Sequence, residues 1–199
     1  EGTSPAKSGT LGLPELGTFM ARDMIRETKP TRFFDLVQLM GLSHGTDVWK
    51  GNAQDLIRNG ICTIDEVIGC RDSIMTYLIH NQLPAKAAFD IMERVRKGRG
   101  LLPEQEALMQ ECAVPAWYID SCKKIKYMFP KAHAAAYTIS SLRIAWFKVN
   151  YPAEYYSAYY TVRADEFDSR LMTRGMAAVR RERESLQSRF REISDREQK

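Results

Sequence analysis

A chain of 199 residues, 44% hydrophobic and with a formal net charge of +4, is long enough for one domain, or for one plus the start of another, and for a real core. That hydrophobic share excludes wholesale disorder, and no apolar run approaches the ~20 residues a membrane span needs. The four cysteines, Cys62, Cys70, Cys112 and Cys122, form no C-x-x-C pair, which argues against a structural zinc site and for reduced, partly buried thiols in a cytoplasmic protein. The first residues hold no basic stretch leading into an apolar segment, so no secretory signal is expected, and an opening Glu1 in place of Met suggests an internal cut or a processed end.

Residues 1–12 are rich in Gly, Ser, Thr and Pro and read as a linker. Pro14 suits the first turn of a helix carrying Leu16, Phe19, Met20 and Met24 as far as Thr28, with Pro30 as its stop. A second helix is expected from Phe33 to Met40 with Gly41 as its C-terminal cap. Asp47 is placed to cap a helix running to Asn59 and closed by Gly60. Thr63 to Glu66 has the pattern of a capping box. Asp72 opens a helix with Ile74, Leu78 and Ile79 as its stripe, and Pro84 opens another with Ala88, Ile91, Met92 and Val95. Gly98 and Gly100 end that segment beside Arg94, Arg96, Lys97 and Arg99.

Pro103, Pro115, Pro130 and Pro152 divide the remainder into blocks of helical periodicity, and the chain turns strongly charged from Asp165 onward. Period-2 runs are missing. The expectation is an all-α fold, an irregular multi-helix lobe of about nine to eleven helices ending in a charged helix.

Between Ser121 and Ala153 there is no Asp or Glu, while Lys123, Lys124, Lys126, Lys131, Arg143 and Lys148 are all present with His133. Such a stretch is either a phosphate-attracting surface or a plain solvated face. Within it, Pro130 favours a helix start that puts Lys131 and His133 in the first turn, where free N–H groups attract anions. Tyr137 lies one turn beyond His133 on the same face. A cation, an imidazole and a ring at a helix N-terminus can hold a triphosphate and stack beside a base. Ser43 and His44, in the glycine-flanked stretch Gly41 to Trp49, offer polar groups to a ligand; alternatively Asp47 is an N-cap there and Trp49 a core anchor. Arg71 either grips phosphate or pairs with Asp65, Glu66 or Asp72. No nucleophile–base pair, metal-ligand cluster, Walker loop or dinucleotide fingerprint is legible, so no catalytic residue and no metal ligand is assigned.

The segments Gly12 to Phe19, Gly41 to Ile57, Val67 to Met75, Ile91 to Leu101 and Trp117 to Tyr137 closely resemble the PolC-type alpha subunit of bacterial DNA polymerase III, a C-family replicative polymerase. The stretch from Phe129 to Tyr137 is also similar to the shorter F-x-K-S-H-S-A-A-Y pattern of other C-family polymerases, with Ala132 in place of the serine before histidine. This resemblance implies residues 1–12 as a linker from the thumb side, 13–164 as the fingers and 165–199 as the start of a duplex-binding region. It implies that Lys131, His133, Tyr137, Arg71, Ser43 and His44 face the incoming deoxynucleoside triphosphate and the nascent base pair. Lys123, Lys124 and Lys126 are implied contacts to the triphosphate or template backbone, and Arg96, Lys97 and Arg99 are basic residues expected to touch DNA phosphates.

The implied partners are primer–template DNA, the deoxynucleotide, and the palm and thumb of the polymerase, with a sliding clamp reached only through regions outside this sequence and with no membrane. Mg2+ is implied for the whole enzyme, held by palm aspartates that nothing here resembles, so this stretch is expected to bind but not to polymerise. A helical protein-interaction module with a basic solvated face is the competing reading. In the charged tail, Met176, Val179, Leu186, Phe190 and Ile193 are candidate contact positions, and Arg180, Arg181 and Arg183 are either DNA contacts or solvated.

Overall fold

The computed structural model describes residues 8–163 and 168–197, with side chains described as far as residue 189. Eleven helices and no sheet are present among the described residues; they run α1 Phe19–Thr28, α2 Phe33–His44, α3 Gln54–Arg58, α4 Arg71–His80, α5 Ala85–Arg96, α6 Pro103–Glu111, α7 Ala116–Lys124, α8 Lys131–Asn150, α9 Pro152–Arg163, α10 Ser169–Thr173 and α11 Met176–Glu197. The all-α expectation is met. The chain divides into two compact units, residues 1–151 and 152–199.

In the first unit α2 is the central strut, buried from Val37 to Leu42. Leu39 and Leu42 enter the larger core with Trp49, Ile74, Leu78, Ile91, Val95, Met109 and Tyr118, while Val37 and Met40 enter a smaller one with Leu13, Leu16, Cys70 and Ala134. Asp35 anchors the start of α2: its carboxylate accepts from the N–H groups of Thr31 and Arg32, both at 3.0 Å, and from Arg32 Nη2 at 2.8 Å. Burial opposes the charge on Asp35, yet these donors outweigh it and hold the carboxyl below its ordinary range.

Three helix boundaries differ from expectation. Helix α1 begins at Phe19, not Pro14, because Thr18 is the cap and its hydroxyl accepts from Ala21 N–H at 3.2 Å. Residues 8–18 form turns instead, with Leu13 and Leu16 buried and Phe19 84% exposed. Gly41 does not cap α2, which continues to His44; it is glycine because a Cβ there would lie 2.2 Å from the Gly69 carbonyl oxygen. Nor does Asp47 cap a helix. It sits at φ 57°, and residues 49–53 form a wide turn broken at Lys50, Gly51 and Asn52 before α3.

That turn is pinned by a buried polar pair. Ser121 Oγ donates to Asn52 Oδ1 at 2.7 Å, and Asn52 Nδ2 donates to the carbonyls of Asp47 and Ser121. Trp49 is a core anchor as anticipated. Thr63 and Glu66 make half of the expected box, Thr63 N–H donating to Glu66 Oε2 at 2.7 Å, but they close a turn and start no helix. The four proline-led segments follow expectation, opening α6, α7, α8 and α9 at or one residue after each proline. All four cysteines are free thiols, three of them buried, and burial pushes Cys70 up to about 12.

Helix α8 buries small and hydroxyl side chains and leaves large apolar ones outside. Its buried residues are Ala134, Thr138 and Ser141, whose hydroxyls donate to the carbonyls of Ala134 and of Pro14 and Tyr137. Its apolar residues Ile139, Leu142, Trp146 and Val149 recur at helical spacing and are exposed.

In the second unit, α9 carries Tyr155 stacked on Tyr159 and Tyr156 on Tyr160, at 6.0 and 6.1 Å between ring centres. Asp168 caps α10 by accepting from Leu171 N–H, and Gly175 at φ 81° turns the chain into α11. Met176 and Leu186 are exposed on α11, as are Arg180, Arg181 and Arg183. The Ala164–Asp165 boundary, residues 1–7 of the linker and the side chains of Phe190 and Ile193 lie outside the described residues.

Candidate nucleic-acid interface

The segment from Ile125 to Lys131 joins the ends of three helices. Leaving α7, its backbone meets the end of α2, where Thr46 N–H donates to Tyr127 O at 2.9 Å and Lys126 N–H to Thr46 O at 3.0 Å. It then touches the end of α5: Met128 N–H donates to Arg96 O, and a Cβ on Gly98 (φ 68°) would stand 2.5 Å from Lys126 O. Last, it meets the start of α4, where Arg71 N–H donates to Phe129 O at 3.2 Å. Only a glycine tolerates both that φ and that approach at position 98.

One group of expected residues converges around Phe129. The His44 ring stacks on it at 4.8 Å and 26°, and lies almost parallel to Tyr137 at 6.2 Å and 9°. His133 meets Phe129 edge-on at 5.8 Å. Ser43 is adjacent, its hydroxyl 2.9 Å from His44 Nδ1 and 3.0 Å from Met40 O. Tyr137 remains 44% exposed, so the stack presents an open aromatic face. Lys131 extends its ammonium over the Phe34 ring at 4.9 Å. Arg71 is half-buried, and its guanidinium lies a loose 3.9 Å from Asp72. Of the carboxylates expected to compete for Arg71, Asp65 is instead bound to Arg32 and Glu66 to Thr63.

The first turn of α8 is not left open. Lys131 N–H donates to Asp72 Oδ2 at 2.8 Å, so the expected row of free donors is partly satisfied from α4. Any anion would be met by the Lys131 and His133 side chains and the remaining donors beside a carboxylate.

The second group is spread along the same segment. Lys126 and Arg99 are exposed, and the Gly98–Lys126 contact brings the end of α5 to them. Arg96 and Lys97 share Glu93, Lys97 Nζ at 3.0 Å and Arg96 through two bonds, and these donors hold the Glu93 carboxyl down at about 2. Lys123 pairs with Glu106 at 2.5 Å, and Lys124 donates to Gly51 O at 2.8 Å. These cations are available by exchange of weak surface partners.

Phe129, Phe34 and Glu15 belong to the site but were not among its expected residues, and Asp72 was expected only as a helix start and a partner of Arg71. Phe129 carried a signal, since the residue before Pro130 is held extended and so turns out of the helix. Glu15 carried none, nor did the bond of Asp72 to Lys131, because these partners lie 29 and 59 residues away. Among the described residues, no group of three or more His, Cys, Asp or Glu side chains is placed to hold a metal ion. The two carboxylates beside the stack are engaged, Asp72 by Lys131 and Glu15 by His44, and do not fit that task.

Residues 5–114 match the family described as the bacterial DNA polymerase III alpha subunit finger domain. The chain is 59% identical over 191 residues to a protein named DNA polymerase III PolC-type from Bacillus subtilis (strain 168), covering 96% of this chain and 13% of that protein. It is 62% identical over 174 residues to the Bacillus cereus protein of that name, covering 87% and 12%, and 54% identical over 191 residues to one from Staphylococcus epidermidis. The chain thus spans about an eighth of the curated relatives it matches. An alignment over 96% of the chain necessarily includes the stretch from Phe129 to Tyr137, which the family match itself does not reach. The chain belongs to the bacterial DNA polymerase III alpha subunit finger-domain family, in its PolC-type branch.

Proposed function

We propose that this chain is the fingers lobe of a cytoplasmic DNA-directed DNA polymerase, residues 13–164 forming the lobe and 165–199 beginning a duplex-binding region. In this reading Lys131, His133 and Arg71 meet the triphosphate of an incoming deoxynucleotide, while Ser43, His44 and Tyr137 border the nascent base pair. Lys123, Lys124, Lys126, Arg96, Lys97 and Arg99 attract the phosphates of primer–template DNA. The observation that carries it is the convergence of His44, Phe129, His133 and Tyr137, from two distant stretches of chain, at the start of a helix in an acid-free segment. Stacked rings suit a base, and cations around them suit phosphates.

The palm and thumb of the same polymerase are the proposed neighbours. Metal-assisted phosphoryl transfer is assigned to the palm, with Mg2+ stabilising the attacking and leaving oxygens there, so this chain alone is proposed to bind without extending a primer. A second reading, a helical protein-interaction surface, draws on the outward apolar stripe of α8.

Fluorescence anisotropy of a labelled primer–template across a salt series tests the function. Weak binding that falls steeply with salt, and that drops severalfold in Lys131→Ala/His133→Ala, is the expected result. Binding without a salt slope, or unchanged by both substitutions, would favour the interaction reading.

A further inference from the structure

Residues 8–18 lie as a strap across the first unit, and most of its fastenings are structural. Leu13 and Leu16 are buried beside Val37, Met40 and Ala134. Ser141 Oγ donates to Pro14 O at 2.8 Å, and Lys148 Nζ donates to the carbonyls of Gly9 and Leu11 at 2.8 and 2.6 Å. Arg22 Nε donates to Ser8 Oγ at 3.2 Å. Glu15 differs: it leaves the strap toward the ring stack, its Oε2 3.0 Å from His44 Nε2.

The other side of that ring decides what this contact does. His44 Nδ1 lies 2.8 Å from Met40 O, which only accepts, and 2.9 Å from Ser43 Oγ, which either donates or accepts. A carboxylate also only accepts. If Nδ1 carries a proton for Met40, then Nε2 needs a second one for Glu15. If Ser43 turns its one hydroxyl proton from Met40 O to Nδ1, the neutral ring carries its single proton on Nε2. Glu15 therefore demands a proton on Nε2 in both arrangements, and without it the neutral ring would turn to the tautomer that serves Met40.

We propose that Glu15 is a positioning residue for His44. Its carboxylate fixes the Nε2–H form and the plane of the imidazole stacked on Phe129, and so ties the strap to the face read above as the nucleotide site. The functional part of this statement rests on that reading; the tautomer does not. Glu15 sits at φ 58°, so alanine and glutamine there share its backbone cost and differ from it only in the side chain.

Long-range proton–nitrogen NMR of the His44 imidazole, in the 199-residue chain at about pH 8.5 where an ordinary histidine is neutral, tests it directly. The unsubstituted chain is expected to show Nε2–H and a bare Nδ1. Glu15→Ala should reverse the two nitrogens, and Glu15→Gln, whose amide oxygen still accepts, should restore the original pattern. In Glu15→Ala the amide exchange of Leu13 and Gly17, whose N–H groups donate to Thr10 O and Leu13 O, should quicken at least threefold. An Nδ1–H ring in the unsubstituted chain, or a tautomer indifferent to Glu15→Ala, overturns the proposal. No nucleotide is present, so a failure here is distinct from unchanged DNA binding in Lys131→Ala/His133→Ala, which strikes the functional reading instead.

Discussion

The aromatic group around Phe129 and the basic group along Lys123 to Lys126 share one short stretch of chain, yet they are built on opposite terms. Each ring of the first group is braced by another ring or by hydrogen bonds from a different element, so its geometry exists before any ligand arrives. Most cations of the second group end long, exposed side chains resting on carboxylates or carbonyls that water can replace. Shape lies in the rings, and long-range attraction in the lysines and arginines.

The most severe way to break the first group is through its scaffold. Gly41→Ala forces a Cβ to within 2.2 Å of a backbone oxygen and should cost about 3 kcal/mol or more in urea unfolding. Gly100→Ala has open space and only an unfavourable φ, and should cost about 1 kcal/mol. On the basic side, Asn52→Ala strips partners from buried Ser121 and should destabilise by about 2 kcal/mol, by the same measurement.

Binding sharpens the contrast further. Lys126→Ala/Arg99→Ala should lower the slope of log affinity against log salt by about one for each phosphate no longer neutralised, whereas Tyr137→Ala should weaken binding severalfold and leave that slope unchanged. Equal slopes in both variants would erase the distinction. The smallest effect concerns Glu93, whose carboxyl lies lower in the folded chain than its ordinary value of 4.5, at about 2. Its contribution is therefore complete above about pH 4.5 and is lost as pH falls toward 2. Glu93→Gln should flatten that part of an acid-unfolding curve, and an unchanged curve would mean that Arg96 and Lys97 hold Glu93 only loosely.

Helices announced by a proline and an apolar stripe were legible because both signals are local: Pro84 with Ala88, Ile91, Met92 and Val95 gave α5 nearly to the residue. Misreadings arose where a distant backbone decided the matter. Gly41 looks like a cap unless Gly69 is known to press against it, and Asp47 looks like a cap unless the Asn52–Ser121 pair is known to open the turn after it. Likewise, His133 and Tyr137 were visibly on one helical face, but the stacking of Tyr137 beside His44 joins two distant stretches of chain. Asp72, read as the start of its own helix, also caps another one.

The exposed apolar stripe of α8 gives the chain a built-in optical label. Of its three tryptophans, Trp49 is 4% exposed and Trp117 half-buried, whereas Trp146 is 53% exposed, beside Phe147 and Tyr151. Its emission should be the reddest of the three and the first extinguished by iodide, so a quencher titration reads one turn of one helix in the unlabelled protein. Whatever comes to cover that turn would announce itself as a blue shift and a loss of quenching.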